Sequence, residues 1–304
     1  METIENNNNL LSRIVIKFRD SFYLAHYEPE AVSEFFCENN VIGWNRLLTQ
    51  FHGIAVNNLF TSIHPTRIIE IVEKAKKLDS RYCPPAFLSY YAIDCPEKAN
   101  VELLLKQLHQ EQNVELAYIE TGMTIPQALF LEETPFTLWP DHLKPAPVGI
   151  DVKYAWSIKG GDGEGRVKFI DIEQGWILDC KNLSISTIPN TGIIQQKFRD
   201  HGTAVLSLVA QNGEIGETGI TPRANVYVVS QWRPDGAPNT ADAIMTAIDN
   251  LSFGDIILLE AQVFDPSESL QLWPVEIQEA IFQVIRLATA AGITVVEAAG
   301  NGNF

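Results

Sequence analysis

Hydrophobic and polar positions divide this chain into two patterned regions separated by a proline-rich stretch. In the first, Ile14-Val15-Ile16-Lys17-Phe18 reads as a strand, and residues 51–60 alternate loosely enough for a second. Residues 66–78 follow His64-Pro65 and carry Ile68, Ile69, Ile71, Val72 and Ala75 at helical spacing. Residues 87–93 predict a strand after Pro84-Pro85, residues 101–109 a leucine-rich helix, and residues 114–120 a last strand. This makes an α+β unit over 12–120, with helices on one face of an antiparallel sheet. Residues 1–11 are polar and predict a disordered terminus. Residues 121–149 hold five prolines, Pro126, Pro135, Pro140, Pro145 and Pro147, and predict an extended linker.

The second region, 150–304, alternates strands and helices. Strands are expected at 166–171, 225–230, 255–260 and 293–299, and helices at 202–209, 240–251 and 275–291. That order implies a parallel sheet with crossover helices, so the class is α/β. The runs Ile256-Ile257-Leu258-Leu259 and Ile293-Thr294-Val295-Val296 suit strands buried on both faces. In such sheets the working side chains gather at the carboxyl ends of the strands.

Composition narrows the function. A net charge of -16 argues against nucleic acid or an anionic membrane as a partner. The first residues lack the basic start and apolar core of a secretory signal, and no apolar run is long enough to span a bilayer. A cytoplasmic location is therefore expected. The cysteines Cys37, Cys83, Cys95 and Cys180 form no C-x-x-C pair and read as reduced thiols, with a Cys83–Cys95 disulfide as the competing idea. The residues call for no cofactor or metal, and they neither require nor exclude calcium.

Three segments could carry chemistry. Asp171 ends a strand, where an acid commonly caps a turn but can also orient a histidine. His201 precedes Gly202, which permits close backbone approach, and a run of small apolar residues that suits a buried helix. Asn301 follows the last strand, where Asn-Gly is usually a turn but the side-chain amide can also donate to an oxyanion.

Taken together, these segments resemble the subtilase family of serine peptidases. Residues 163–175, with Asp171, are similar to the family's aspartate segment, and Asp200-His201-Gly202-Thr203-Ala204-Val205 to its histidine segment. Gly219-Ile220-Thr221-Pro222-Arg223-Ala224 resembles the turn and strand that follow, and Ala298-Ala299-Gly300-Asn301 the oxyanion segment.

The resemblance implies a subtilisin-like parallel-sheet domain over 150–304, incomplete at its C-terminal side, behind a ferredoxin-like propeptide-type domain. It implies Asp171 and His201 as catalytic residues and Asn301 as the oxyanion donor. It implies Leu258, Leu259, Glu260, Ala261, Gln262, Glu297, Ala298, Ala299 and Gly300 as the substrate-binding segments. The partners implied are a peptide or protein substrate and the chain's own propeptide-like domain, whose tail of residues 118–123 would lie in the active site.

The sequence departs from the family in three places. Ile172, Glu173 and Gln174 separate Asp171 from Gly175, where the family has Ser or Thr and then Gly directly after the acid. The substrate strand ends Glu260-Ala261-Gln262 instead of a small Ser-x-Gly segment. The family's Gly-Thr-Ser nucleophile segment occurs nowhere in the 304 residues. The expected function is therefore serine endopeptidase, in a piece that lacks the nucleophile and is inactive alone. The alternative is a non-catalytic module that binds peptides or inhibits a peptidase. A metal-dependent hydrolase on Asp171, Glu173, Asp200 and His201 is the third reading, and it is the weakest because zinc sites need two or more close nitrogen or sulfur ligands. Glu260 and Glu297 near strand ends suggest either carboxyls bound to backbone amides or an acidic pocket for a basic side chain.

Overall fold

The computed structural model describes residues 12–22, 31–120, 123–124, 141–213, 218–264 and 272–301. The expected disordered terminus and most of the expected linker lie outside the described residues.

The first region forms a four-stranded antiparallel sheet in the order β2-β3-β1-β4, from β1 (Ser12–Phe18), β2 (Ala55–Asn58), β3 (Tyr90–Cys95) and β4 (Val114–Glu120). This is the strand order of a ferredoxin-like sheet. Two short helices, α1 (Val32–Glu38) and α2 (Trp44–Gln50), connect β1 to β2. The pattern of hydrophobic positions did not suggest them. Their junction turns through left-handed Asn40, Ile42 and Gly43, which breaks the helical period after two turns. The predicted helices α3 (Pro65–Leu78) and α4 (Val101–Leu108) are present. Pro65 opens α3 at its first position, where no amide hydrogen is needed, and Asn100 Oδ1 caps α4 by accepting from Leu103 N at 3.0 Å.

Alternation along β1 explains how both faces of this sheet are used. Ile14, Ile16 and Phe18 pack with Phe36, Trp44, Leu47, Leu104 and Leu108, so α1, α2 and α4 cover one face. Val15, Tyr90 and Ala92 point the other way, into a core shared with α3 and with helices of the second region. Helices of this unit were expected on one face only; α1, α2 and α4 lie there, but α3 lies on the second face, which it closes together with helices of the second region.

The second region centres on a five-stranded parallel sheet, order β12-β9-β6-β8-β7. Its strands are β6 (Lys168–Glu173), β7 (Ile185–Thr187), β8 (Asn225–Ser230), β9 (Ile256–Leu259) and β12 (Thr294–Glu297). A one-turn helix, α5 (Val152–Trp156), precedes it. Ile170, Ile172, Val229, Ile257 and Leu259 face helices α7 (Thr240–Asn250) and α8 (Glu279–Ala290). On the opposite face Val226 and Val228 pack with Trp176 and with Leu206 of α6 (Arg199–Ala210).

A third, small sheet was not expected. In it β10 (Gln262–Phe264) lies between β11 (Leu272–Pro274) and β5 (Met123–Thr124), antiparallel to both. The β5 strand comes from the stretch read as linker. Among the described residues no helix is long and apolar enough to cross a membrane. All four cysteines are free, so Cys83 and Cys95 are not joined.

Candidate active site

The central strand β6 carries two acids, Asp171 and Glu173, two residues apart and therefore on one face. That face looks toward α6. Both side chains are fully buried. His201 lies in the first turn of α6, and two contacts bring that turn to the strand end. Thr203 Oγ1 accepts from Ile177 N at 2.8 Å and donates to Arg199 O at 2.7 Å. Gly202 lets the helix lie directly on the loop after β6: a Cβ there would meet Gly175 O at 2.5 Å and the Trp176 indole at 2.7 Å.

In this setting the acid on the histidine is Glu173. His201 Nδ1 and Glu173 Oε1 are 2.5 Å apart, with 15% and 1% of the two side chains exposed. Asp171, expected to orient the histidine, instead accepts from Trp176 Nε1 at 2.8 Å through Oδ2. Asp171 thus makes no hydrogen bond to the histidine, and Glu173 does. Asp171 sits one full strand repeat back from the sheet edge, roughly 7 Å, and the longer Glu173 reaches the ring from the last position of β6. The sequence held a signal for this: Glu173-Gln174-Gly175 keeps the acid-x-Gly spacing that Asp171 lacks.

The electrostatics follow from burial and pairing. The hydrogen bond with Glu173 raises the His201 imidazole above its ordinary 6.5, burial opposes it, and the nearby Glu260 carboxylate adds to the rise. Burial pushes Glu173 above the carboxylate range while His201 pulls it back. Burial first, then the charge of Glu173, raises Asp171 well above the range. Burial also raises Glu260, which His201 counteracts.

The remaining expected site residues occupy the same carboxyl edge in different ways. Leu259 and Ala261 are buried, so only their backbone faces the edge; Leu258 is half-buried on the other side of β9. Gln262 is buried, and its Oε1 accepts from Asn301 N at 2.9 Å, which ties the end of β12 to β10. Ala298 N donates to Leu259 O at 3.1 Å. Ala299 is exposed, and Gly300 turns the chain with a left-handed φ of +87° before the exposed Asn301. Glu297 accepts from Glu276 N at 3.3 Å and is raised to about 7 by burial and then by Glu276, so its carboxyl serves a backbone amide. Asp200 leaves 86% of its side chain in solvent and takes no part in the cluster. Among the described residues no group of three or more His, Cys, Asp and Glu side chains could hold a metal ion.

Beside this edge, β5 pairs with β10 in a defined register, Thr124 opposite Gln262 and Met123 opposite Val263. A segment that follows the first unit therefore runs as a strand along the loop between β9 and α8.

The sequence profile described as Peptidase_S8, subtilase family, matches residues 173–304. Over that span the chain is similar to the subtilase family. The match starts at Glu173 and leaves Asp171 outside it. No curated protein matches the chain. Among solved structures, one titled "Structure of Prenylagaramide maturation protease PagA" aligns at 18% identity and a TM-score of 0.35, over 47% of this chain and 48% of that one. This chain thus spans about half the length of the solved structure it matches.

Proposed function

We propose that this subtilase chain supplies the acid–base half and the peptide-binding edge of a serine endopeptidase. The observation that carries the reading is the Glu173–His201 pair, buried at the carboxyl end of the central parallel strand. In this mechanism a serine hydroxyl attacks the peptide carbonyl, and His201 Nε2 takes its proton and passes it to the leaving amine. Glu173 fixes the tautomer through Nδ1 and stabilises the imidazolium, the role first expected of Asp171. Asn301 donates to the tetrahedral oxyanion. The serine lies outside these 304 residues, so the chain alone binds peptide and does not turn it over.

The unit of residues 12–120 acts as a propeptide in this reading. The β5 strand adds to β10 as an extended peptide would, by main-chain hydrogen bonds to an open edge. The occupant that replaces it is the substrate, and Gln262 through Phe264 form its template. Glu260, beside His201, is the remaining candidate for selecting a basic substrate side chain, since Glu297 is engaged by the Glu276 amide. One second reading, a peptide-binding module without hydrolysis, is supported by the altered segment Ile172-Glu173-Gln174 after Asp171.

The test is a peptidase assay with the full-length product of the reading frame that contains this chain, run beside the 304-residue chain. Hydrolysis by the full-length product, lost in His201→Ala and reduced at least tenfold in Glu173→Gln but not in Asp171→Asn, supports the peptidase. Peptide binding without hydrolysis in both proteins assigns the binding module. Loss of hydrolysis in Asp171→Asn with Glu173→Gln unaffected would restore the original acid.

A further inference from the structure

Asp171 is left over when Glu173 takes the histidine, and its surroundings are unusual. It is a fully buried acid in the middle of a parallel strand, at 0% exposure, opposite Val228 on one neighbour and Leu258 on the other. One oxygen, Oδ2, accepts from Trp176. The other, Oδ1, is buried without a partner, and so is Oε2 of Glu173, the oxygen not used by His201. Two orphaned acceptors in adjacent carboxyl groups on one strand face are costly, because each loses its hydration for nothing. A single proton placed between them removes both deficits.

We propose that Asp171 is a positioning residue that stays protonated and donates from Oδ1 to Glu173 Oε2, holding that carboxylate on His201. The chain of contacts then runs from Trp176 to Asp171, Glu173 and His201, and each acceptor has a donor. One unit of negative charge is held on the two carboxyl groups, and it lies on Glu173, where the imidazolium neutralises it. Like charges on two buried carboxyl groups of one strand face repel strongly, which favours holding a single charge between them. The longer glutamate arm makes the support necessary: it has one more rotatable bond than an aspartate, and the Asp171 hydroxyl fixes it.

The groups that face this cluster are few. Glu173 lies on the same strand, His201 comes from α6, and Glu260 from the end of β9. The adjacent β8 positions are Val228 and Ser230, which carry no charge. Burial and the Glu173 charge both favour the neutral form of Asp171, and only the Trp176 hydrogen bond opposes it.

The inference rests on Glu173 and His201 being the acid–base pair, but its test does not depend on hydrolysis. Carboxyl carbon and imidazole nitrogen resonances of the 304-residue chain are followed by NMR from about pH 5 to 9, the range in which an imidazole titrates. The Asp171 carboxyl carbon should keep its protonated shift throughout. Asp171→Asn, which keeps both an acceptor for Trp176 and a donor for Glu173, should leave the His201 titration within a few tenths of a unit of the parent. Asp171→Leu, which removes the donor, should move the proton affinity of His201 at least tenfold. An Asp171 carbon that is ionised at pH 7, or a His201 titration displaced a full unit by Asp171→Asn, overturns the proposal. Equal titrations in Asn, Leu and parent reduce Asp171 to packing and also overturn it. If the Leu variant does not fold, the carbon shift and the Asn variant decide. A chain that passes this test while its full-length form fails to cleave peptides keeps the positioning role and loses the peptidase reading.

Discussion

Asp242→Ala is expected to destabilise the chain strongly, because Asp242 is a buried charge that joins the two halves of the molecule. It lies in the first turn of α7 with 0% of its side chain exposed, against an Arg233 that exposes 1%. Its Oδ1 accepts from the amides of Thr61 at 3.0 Å and Ser62 at 3.2 Å, both in the connection after β2. Its Oδ2 accepts from Arg233 Nε at 2.9 Å and from the Ser62 hydroxyl. The guanidinium also donates to Ser230 O, Asn190 O and Thr246 Oγ1, each at 2.9 Å, so it has nowhere to move. Truncating Asp242 strands a desolvated cation, which costs about 3–5 kcal/mol. The two freed amides add little, since Thr61 is exposed and Ser62 half-buried, and water can reach them. For a chain of this size the loss corresponds to a fall of roughly 5–8 °C in Tm. Urea unfolding followed by tryptophan fluorescence and by far-UV circular dichroism measures it, with limited proteolysis reporting whether residues 12–120 detach first. A loss below about 1 kcal/mol would refute the reasoning. The paired variant Arg233→Met with Asp242→Leu should cost clearly less than the sum of the two single changes, because it leaves no unpaired charge.

Gly202→Ala tests the seat of the histidine: alanine favours a helix by about 1 kcal/mol, yet its Cβ would enter backbone at Gly175 O, so calorimetry should record a net loss of about 2 kcal/mol and NMR a displaced His201. Glu120 is raised to about 7 by burial, partly offset by Arg13. A carboxyl raised in the folded state stabilises below its ordinary value of 4.5 and loses that contribution as pH climbs through about 7. Glu120→Gln should therefore be more stable than the parent at pH 8, by about 1–3 kcal/mol, and show no advantage near pH 4.5 in denaturant titrations. The His201 pair has the same sign. An imidazole raised above 6.5 contributes fully below that pH and loses its contribution as pH rises through its folded value, so Glu173→Gln should flatten the decline in stability on the alkaline side of 6.5. In the proposed peptidase mechanism the base must be neutral, so any hydrolysis by the full-length product should increase with pH above 6.5 and the Gln variant should shift that rise toward acid.

The one-dimensional pattern of the chain determined most of the strand and helix alternation of both regions, though not α1, α2 or the edge strand β7, because buried faces repeat at fixed periods wherever the partner lies. It placed His201 at a helix start, with Gly202 marking close approach, and Asn301 after a strand for the same local reasons. It did not decide which acid meets the histidine. Asp171 and Glu173 share a strand face, so periodicity treats them alike, and only the depth at which α6 crosses the edge of β6 selects Glu173. Helices α1 and α2 were hidden because each lasts two turns before a left-handed junction, too short for a period to accumulate. The pairing of β5 with β10 joins residues more than a hundred positions apart. A two-residue strand has no signature of its own; it exists because the rest of the fold holds an open edge beside it.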